Sequence, residues 1–552
     1  MIDARKLPDR EVLSCDICII GAGPVGISVA REFVGSNLKV ILLESGGIAL
    51  GDHADELSKP AQDATYGTTS FITNVRHYGG NSNAWNIIRN DGVMGVRFAI
   101  FQDVDYQVRA GIANSGWPIG PDTLTPYIER AAKAWQLAPT GFKRAESDVT
   151  ETVRMIEANG ELQTTLFQFP NAALAREHFR SEIDAAPNIA TYYHATATRL
   201  VQADAAANVE TVIVKPSPST QLSIKAGHVI VSASGMGSCQ LLLSSPTHEG
   251  HAFGNSGDSL GRYMIDHPLI AGGEIILKDP TFLDQMLLYD IDERLGAPSM
   301  GYLHLSAETM QRENIPNLNM ILFPRRKGLK QAHAKLAMHM RAHKAAVRVR
   351  NAIRRKQIPE MIEVLNAIIG SPLIIGDLLR LYLDPQVNLG RGGWMKKGLP
   401  SKRFDRLEVL HIAEQLPHRD NRMYLSDETN RLGIRKITFD YRLHEEDIKA
   451  FKRAQLVMEQ AVKESGLGEF EIAYRDTDEV DMIAMSCGHH MGMMRMGEDP
   501  ATSVVDATCK VHGTDNLYVA SSGVIPSGGS ANPTFITIAL GMRIADTLKG
   551  KL

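Results

Sequence analysis

The stretch that most restricts the fold lies near the start of the chain. Cys15-Asp16-Ile17-Cys18-Ile19-Ile20 is an apolar run of strand length, and Gly21-Ala22-Gly23-Pro24-Val25-Gly26 follows directly. A helical pattern comes next (Val25, Val29, Ala30, Phe33), then a second strand over residues 39–43 that ends on Glu44. Strand, G-x-G-x-x-G, helix, strand and acid in this order predict a βαβ unit built to hold a dinucleotide. Gly21 permits the tight turn. Gly23 lets a pyrophosphate approach the helix N-terminus, where free N–H groups and a partial positive charge attract it. Gly26 allows the helix to pack on the strand, and Glu44 accepts hydrogen bonds from a ribose diol. Glu44 would repel a 2′-phosphate, which disfavours NADP. The motif alone leaves NAD and FAD open, with a Gly-rich turn of an unrelated α/β domain as the bland alternative.

A chain of 552 residues is long for one core, so two or more domains, separate or interleaved, are expected. Hydrophobic content of 44% and charged content of 22% are ordinary for a globular protein. A net charge of -4 gives no global reason to expect nucleic acid or a membrane surface as a partner. Five cysteines are few and odd in number, which argues against a disulfide framework and for a reducing, cytoplasmic setting. Cys15-x-x-Cys18 sits inside an apolar run and reads as two strand residues rather than a redox pair. Residues 1–13 are polar and lack an apolar h-region, so no secretory signal is expected. The apolar run 364–375 is interrupted by Asn366, Gly370 and Pro372 and is not read as a transmembrane helix.

Further along, Gly79-Gly80-Asn81-Ser82 lies in a loop of small residues. It reads equally as a surface for a planar ligand or phosphates and as an ordinary turn. Ser115-Gly116-Trp117-Pro118 leads into a helix running through Trp135. Residues 211–214 and 228–233 read as strands, and a helix opens at Ser234. His267, in Asp266-His267-Pro268, is read as structural, because the following Pro extends its backbone and no second ligand sits at metal spacing. From Arg325 to Lys356 there are twelve Lys or Arg and no Asp or Glu. That segment reads as helix. It is either a solvated face or a docking surface for an acidic partner or an anionic membrane. Strands are expected around residues 421–427 and 437–441, and a helix over 444–464.

Near the C-terminus, Ser486-Cys487-Gly488-His489-His490-Met491-Gly492 is followed by Ser530-Ala531-Asn532-Pro533-Thr534. Asn532 reads as an N-cap, with Pro533 at the first position of a helix reaching Leu548. His489 is the candidate base, with a packed histidine pair as the alternative. His490, one residue on, points elsewhere in a regular backbone and reads as structural. Six methionines (Met482, Met485, Met491, Met493, Met494, Met496) crowd this segment. They read as adaptable packing around a pocket rather than a copper site, so no metal is expected.

These segments, in this order, resemble the glucose–methanol–choline (GMC) oxidoreductases over nearly the whole chain. The likeness rests on Gly21 to Gly26, Gly79-Gly80, Ser115 to Pro118, Gly261-Arg262 with Asp266-His267-Pro268, and His489 through Thr534. His489 with Asn532-Pro533-Thr534 is similar to the branch of pyranose oxidases and glycoside 3-oxidases. The resemblance implies an α/β (α+β overall) fold. A Rossmann-type FAD-binding domain (1–100, 191–268 and 500–552) would interleave with a substrate domain (101–190 and 269–499) built on an antiparallel sheet with helices. It implies FAD held by Gly21, Gly23, Gly26, Glu44, Gly79, Gly80, Asn81, Ser82, Asn532, Pro533 and Thr534. Covalently flavinylated members carry His immediately before the Trp. This chain has Ala84 before Trp85, so the FAD is expected to be non-covalent.

The implied reaction is oxidation of a secondary alcohol on a sugar or glycoside. His489 would take the proton, Asn532 would hold the substrate oxygen, and the hydride would pass to flavin N5. Oxygen, a quinone or another acceptor would reoxidise the flavin. A less polar alcohol, a flavoprotein subunit without this activity and an NAD-linked enzyme remain as alternatives. The crowded methionines are the reason a strongly polar sugar pocket stays open.

Overall fold

The computed structural model describes residues 1–48, 53–61, 75–83, 87–88, 94–138, 142, 149–203, 208–294, 296–325, 345, 349, 358–369, 394–395 and 398–552. Ala84, Trp85 and all of the basic stretch except Arg325, Ala345 and Val349 lie outside these residues.

The first strand, Val12–Ile20, alternates in burial at its start and is wholly buried from Ile17 onward. The change follows from its neighbours. It has parallel partners on both sides, Val40–Leu43 and Thr220–Val231, and such a strand is covered on both faces. The full sheet has eight strands. Outward from Val40–Leu43 come Ile189–Tyr193 and Ile2–Asp3. On the other side of Val12–Ile20 come Thr220–Val231, Val209–Ser217 and Thr196–Gln202, while Leu517–Val519 pairs with the end of Thr220–Val231. Chain order reverses at Val12–Ile20, so a crevice opens beyond its C-terminal end. Cys15 and Cys18 are buried there and unbridged.

Pro24–Arg31 is the helix that follows the glycine turn, with Pro24 in its first turn and Ile27, Val29 and Ala30 buried. It ends two residues before Phe33. Phe33 donates its N–H to Ala30 O, so the chain closes in the tighter i→i+3 manner common at helix ends. The last helix, Thr534–Lys549, packs against Pro24–Arg31 and Pro121–Ala134. An ion pair from Arg130 to Asp546 at 2.9 Å fastens it on one side.

The second sheet is antiparallel throughout. Its order is Gly468–Ile472, Leu269–Leu277, Arg406–Ile412, Asn319–Arg325, Ser299–Leu305 and Leu162–Gln168, with Asp481–Ala484 also pairing with Leu269–Leu277. The helix Glu445–Ser465 lays Phe451, Ala454, Met458, Ala461 and Val462 on its core. This is the i, i+3, i+4 spacing of one helical face. A sheet that is parallel around Val12–Ile20 and antiparallel at its Val209–Ser217 and Thr196–Gln202 edge, with helices, beside a separate antiparallel sheet is the mixed α/β architecture expected from the sequence.

Candidate active site

The crevice beyond the strand Val12–Ile20 is a part-open cleft. It is lined by Gly21, Gly23, Glu44, Gly80, Asn81 and Ser82, and also by Gly488, His489, Pro533 and Thr534. The glycine turn makes one wall. Gly21 has φ +107°, and a Cβ there would lie 2.6 Å from the Ser232 carbonyl oxygen. A Cβ on Gly26 would lie 1.9 Å from the Gly21 carbonyl oxygen, so the helix can begin this close to the strand only with glycine. At Gly23 a Cβ would meet nothing within 4 Å. The backbone there faces open cleft, at the end of a helix whose first N–H groups have no partner within the helix.

Glu44 is buried at the end of its strand. Its carboxylate accepts N–H groups from Ala22 at 3.1 Å and Gly46 at 2.8 Å. Burial raises its pKa, and these two bonds oppose that rise. One side chain thus ties both glycine-containing turns together and still carries lone pairs toward the cleft. Gly80, Asn81 and Ser82 form a single turn of 3-10 helix. The Asn81 carbonyl oxygen accepts the Val75 N–H at 2.8 Å and the Ser82 hydroxyl donates to Gly79 O at 2.6 Å, so these side chains shape the turn itself. A long cleft with a bare glycine backbone at a helix start and a buried acid beside it fits the donor and acceptor pattern of a dinucleotide. The described residues fit FAD.

His489 joins a chain of hydrogen bonds whose two ends fix every proton in it. His267 Nε2 lies 3.3 Å from the Gly528 carbonyl oxygen, and His267 Nδ1 lies 2.8 Å from His489 Nδ1. The carbonyl can only accept, so His267 carries its proton on Nε2 and presents a bare Nδ1. His489 therefore donates from Nδ1 and keeps a lone pair on Nε2. From the other side, Arg97 Nε donates to Asn532 Oδ1 at 2.8 Å. A guanidinium can only donate, so the Asn532 carbonyl oxygen is turned toward it. Its NH₂ then faces His489 Nε2 at 2.8 Å. Both ends assign the same state: neutral His489 with Nε2 as acceptor.

Asp266 holds the backbone in place. Its carboxylate accepts the N–H groups of His267, Cys487 and His489 and the Ser486 hydroxyl, at 2.6 to 3.2 Å. His490 Nε2 lies 3.6 Å from the same carboxylate, and His490 is not among the residues that line the cleft. Burial lowers the His489 pKa well below the usual histidine value, and His267, Arg97 and His490 push the same way. Burial also lowers Arg97, to about 10. Arg97 makes no ion pair among the described residues. It lies over the Phe167 ring, 4.6 Å from its centroid, and Phe167 stacks on Tyr302.

The loop bearing Asn532 is pinned from below. Trp117 Nε1 donates to Ser527 O at 3.1 Å, the Ser527 hydroxyl to Asp105 O at 3.0 Å, and the Ser530 hydroxyl to Asn317 Oδ1 at 3.0 Å. Under these bonds lies the buried pair Arg109–Glu414, whose carboxylate also accepts the N–H groups of Asn317 and Gly529.

Three sequence expectations change here. Asn532 is not the N-cap: the helix begins at Thr534 with Pro533 before it, and the Asn532 amide is occupied by Arg97 and His489. His267, read as structural, is the direct partner of His489. The methionines do not line the cleft. Met491, Met493 and Met494 are fully buried and end against Gly528, Gly235 and Gly523. Arg97 was not singled out by sequence; its only signal was a lone Arg beside Val96 and Phe98.

Residues 417–541 match the family model described as GMC oxidoreductase. The chain is 32% identical over 177 residues to paromamine 6′-oxidase of Streptomyces fradiae, covering 31% of this chain and 32% of that protein. It is 42% identical over 60 residues to pyranose 2-oxidase of Tricholoma matsutake, 11% of each chain. The matched stretch spans about a third of the length of the first of these relatives. Among solved structures, pyridoxine 4-oxidase from Mesorbium loti superposes with a TM-score of 0.53 at 16% identity, over 97% of this chain and 99% of that one. A formate oxidase structure gives a TM-score of 0.51 at 15% identity over 99% of each chain. At these identities the structures share the fold.

Proposed function

We propose that this chain is a GMC oxidoreductase that binds FAD non-covalently and oxidises a secondary alcohol on a sugar or glycoside. The observation that carries this reading is the state of His489. The hydrogen-bond chain holds its Nε2 as a proton acceptor, beside an Asn532 amide that can only donate in that direction, at a dinucleotide cleft.

Bound FAD supplies the acceptor for the hydride. Gly21, Gly23 and the start of the Pro24–Arg31 helix would take its pyrophosphate, Glu44 its ribose, and Gly79 to Ser82 its inner face. The start of the Thr534–Lys549 helix, with Pro533 and Thr534, would lie toward its ring system, where a helix N-terminus favours negative charge. The alcohol oxygen enters between His489 and Asn532. Asn532 donates to that oxygen, and His489 Nε2 takes its proton as the C–H bond gives up hydride. Burial keeps His489 neutral before the reaction. The imidazolium formed on proton transfer shares its Nδ1 proton with His267, which spreads the charge over two rings.

A sugar or glycoside is supported by the named relatives, a paromamine oxidase and a pyranose oxidase, and by the removal of the methionines from the cleft wall. The test is anaerobic bleaching of the flavin across pyranoses, glycosides, polyols and sterols, followed by admission of oxygen or a quinone. Bleaching by pyranoses or glycosides is the expected result. A yellow protein bleached by none of them, or by sterols alone, would overturn the substrate class.

A further inference from the structure

We infer that the sugar this protein oxidises carries a carboxylate, and that Arg97 is the residue that holds it. The inference rests on the reading of His489 and Asn532 as the pair that takes the alcohol. Arg97 donates from Nε to Asn532 Oδ1 at 2.8 Å, so its head group touches the amide assigned to the substrate oxygen. Its Nη1 is buried and donates to nothing among the described residues. A buried donor without a partner is costly, and one on a cation is costlier still. The Phe167 ring, 4.6 Å from the guanidinium carbon at its centroid, offsets part of that cost. It offers no oxygen lone pair to Nη1, and an anion does.

Among the described residues no carboxylate pairs with Arg97. Asp266 accepts the N–H groups of His267, Cys487 and His489 and the Ser486 hydroxyl. Glu414 pairs with Arg109, and Asp105 accepts from Asn317 Nδ2 and the Gln102 N–H. The Cys487 thiol and the Tyr302 phenol beside Arg97 are both kept neutral by burial, the thiol's pKa pushed up to about 12. The catalytic pair therefore lies next to one uncompensated positive charge. A carboxylate cancels that charge, and its two oxygens match the planar guanidinium fork. A phosphate dianion would leave an excess negative charge in the same buried place. Arg97 is also one of the charges that hold the His489 pKa down. A carboxylate seated on Arg97 cancels that contribution, so His489 becomes a stronger base when an acid-bearing substrate is bound.

The test uses the flavin-loaded protein and two matched pairs of sugars, glucuronate with glucose and galacturonate with galactose. Anaerobic stopped-flow reduction of the flavin gives a dissociation constant for each. The better of the two acids should bind at least about tenfold more tightly than its neutral partner, as expected of hydrogen bonds between charged groups. Arg97→Gln should remove that preference, and Arg97→Lys, which keeps the charge, should restore part of it. Flavin content and circular dichroism check that each variant is folded. Equal dissociation constants within both pairs in the parent protein overturn the proposal and leave the sugar-oxidation reading standing. So does a preference that survives Arg97→Gln. If no sugar bleaches the flavin, the sugar-oxidation reading falls and acetate tests the anion site alone. Calorimetry at fixed ionic strength should show acetate binding to the parent protein and its loss in Arg97→Gln. No acetate binding, or equal binding by both proteins, overturns the site.

Discussion

His267 and His489 meet Nδ1 to Nδ1 at 2.8 Å, with their ring planes 84° apart. Two imidazoles can share one hydrogen bond in this way only if one is bare where the other is protonated. The Gly528 carbonyl decides which. His267 is thus a positioning residue for His489, selecting its tautomer. In His267→Ala, the His489 proton is free to sit on either nitrogen, and the Nε2 tautomer has no lone pair for the alcohol. Flavin reduction should slow by about tenfold or more, the size of effect seen when a histidine's orienting partner is lost. Substrate KM should change little. Stopped-flow reduction at saturating substrate separates the two, and an unchanged rate constant would dismiss the role.

The same chain predicts the pH profile. Neutral His489 is the working form, and it is present above a folded-state pKa well below the ordinary 6.5. Flavin reduction should therefore be level through neutral pH and fall only as pH drops through that depressed value. His489→Ala should lower the rate by about a hundredfold or more and remove this acidic limb, with FAD still bound.

Arg97 links both properties. It orients Asn532 through one hydrogen bond and is one of the charges that depress His489. Arg97→Gln removes the charge and keeps an amide that can donate to Asn532. The His489 pKa should then rise toward its ordinary value, so the acidic limb moves to higher pH. At a pH well above the limb the loss should be small. Arg97→Ala should instead lose rate at every pH, because the Asn532 amide is free to flip. A limb that stays in place in Arg97→Gln would count against the charge effect.

The sequence carried the glycine-turn part of the site because each part answers to a backbone requirement. Gly21 needs its positive φ, Gly26 has no room for a Cβ, and Glu44 ends a strand at a fixed distance from both. Such demands are local and leave a local pattern. His489 and Asn532 were picked out through the order of family motifs, and the residues that hydrogen-bond to them, His267 and Arg97, were not. Arg97 is 435 positions from Asn532 and His267 is 222 from His489. Nothing near Arg97 in the chain marks it. Asn-Pro before an apolar helix reads as a cap because the cap is the local competitor for an Asn amide. Tertiary partners of higher polarity took the amide instead, and the helix began one residue later.

The support under the catalytic loop yields a stability prediction. Arg109 and Glu414 are nearly solvent-free, with side chains 4% and 1% exposed. Removing one partner of such a pair strands the other charge in a low-dielectric site. Glu414→Gln should destabilise the fold by about 3–5 kcal/mol. It also weakens the acceptor for Gly529 N–H, three residues before Asn532. Urea unfolding of the flavin-free protein measures the first effect. A loss below about 1 kcal/mol would show that the pair is replaceable.

Glu44 separates cofactor binding from chemistry. Glu44→Gln keeps the size of the side chain, but one of its two acceptor oxygens becomes a donor. Either Ala22 N–H or Gly46 N–H then faces an NH₂ group, and a ribose diol finds one acceptor fewer. FAD affinity should fall by about tenfold or more, since a hydrogen bond to a charged group contributes about 1.5–3 kcal/mol. Once the variant is saturated with FAD, the flavin reduction rate should match the parent, because Glu44 has no part in the hydrogen-bond chain of His489, His267, Asn532 and Arg97. Titration of the flavin-free protein with FAD gives the affinity, and stopped-flow at saturating FAD gives the rate. Unchanged affinity with a slowed rate would reject the placement of the ribose beside Glu44.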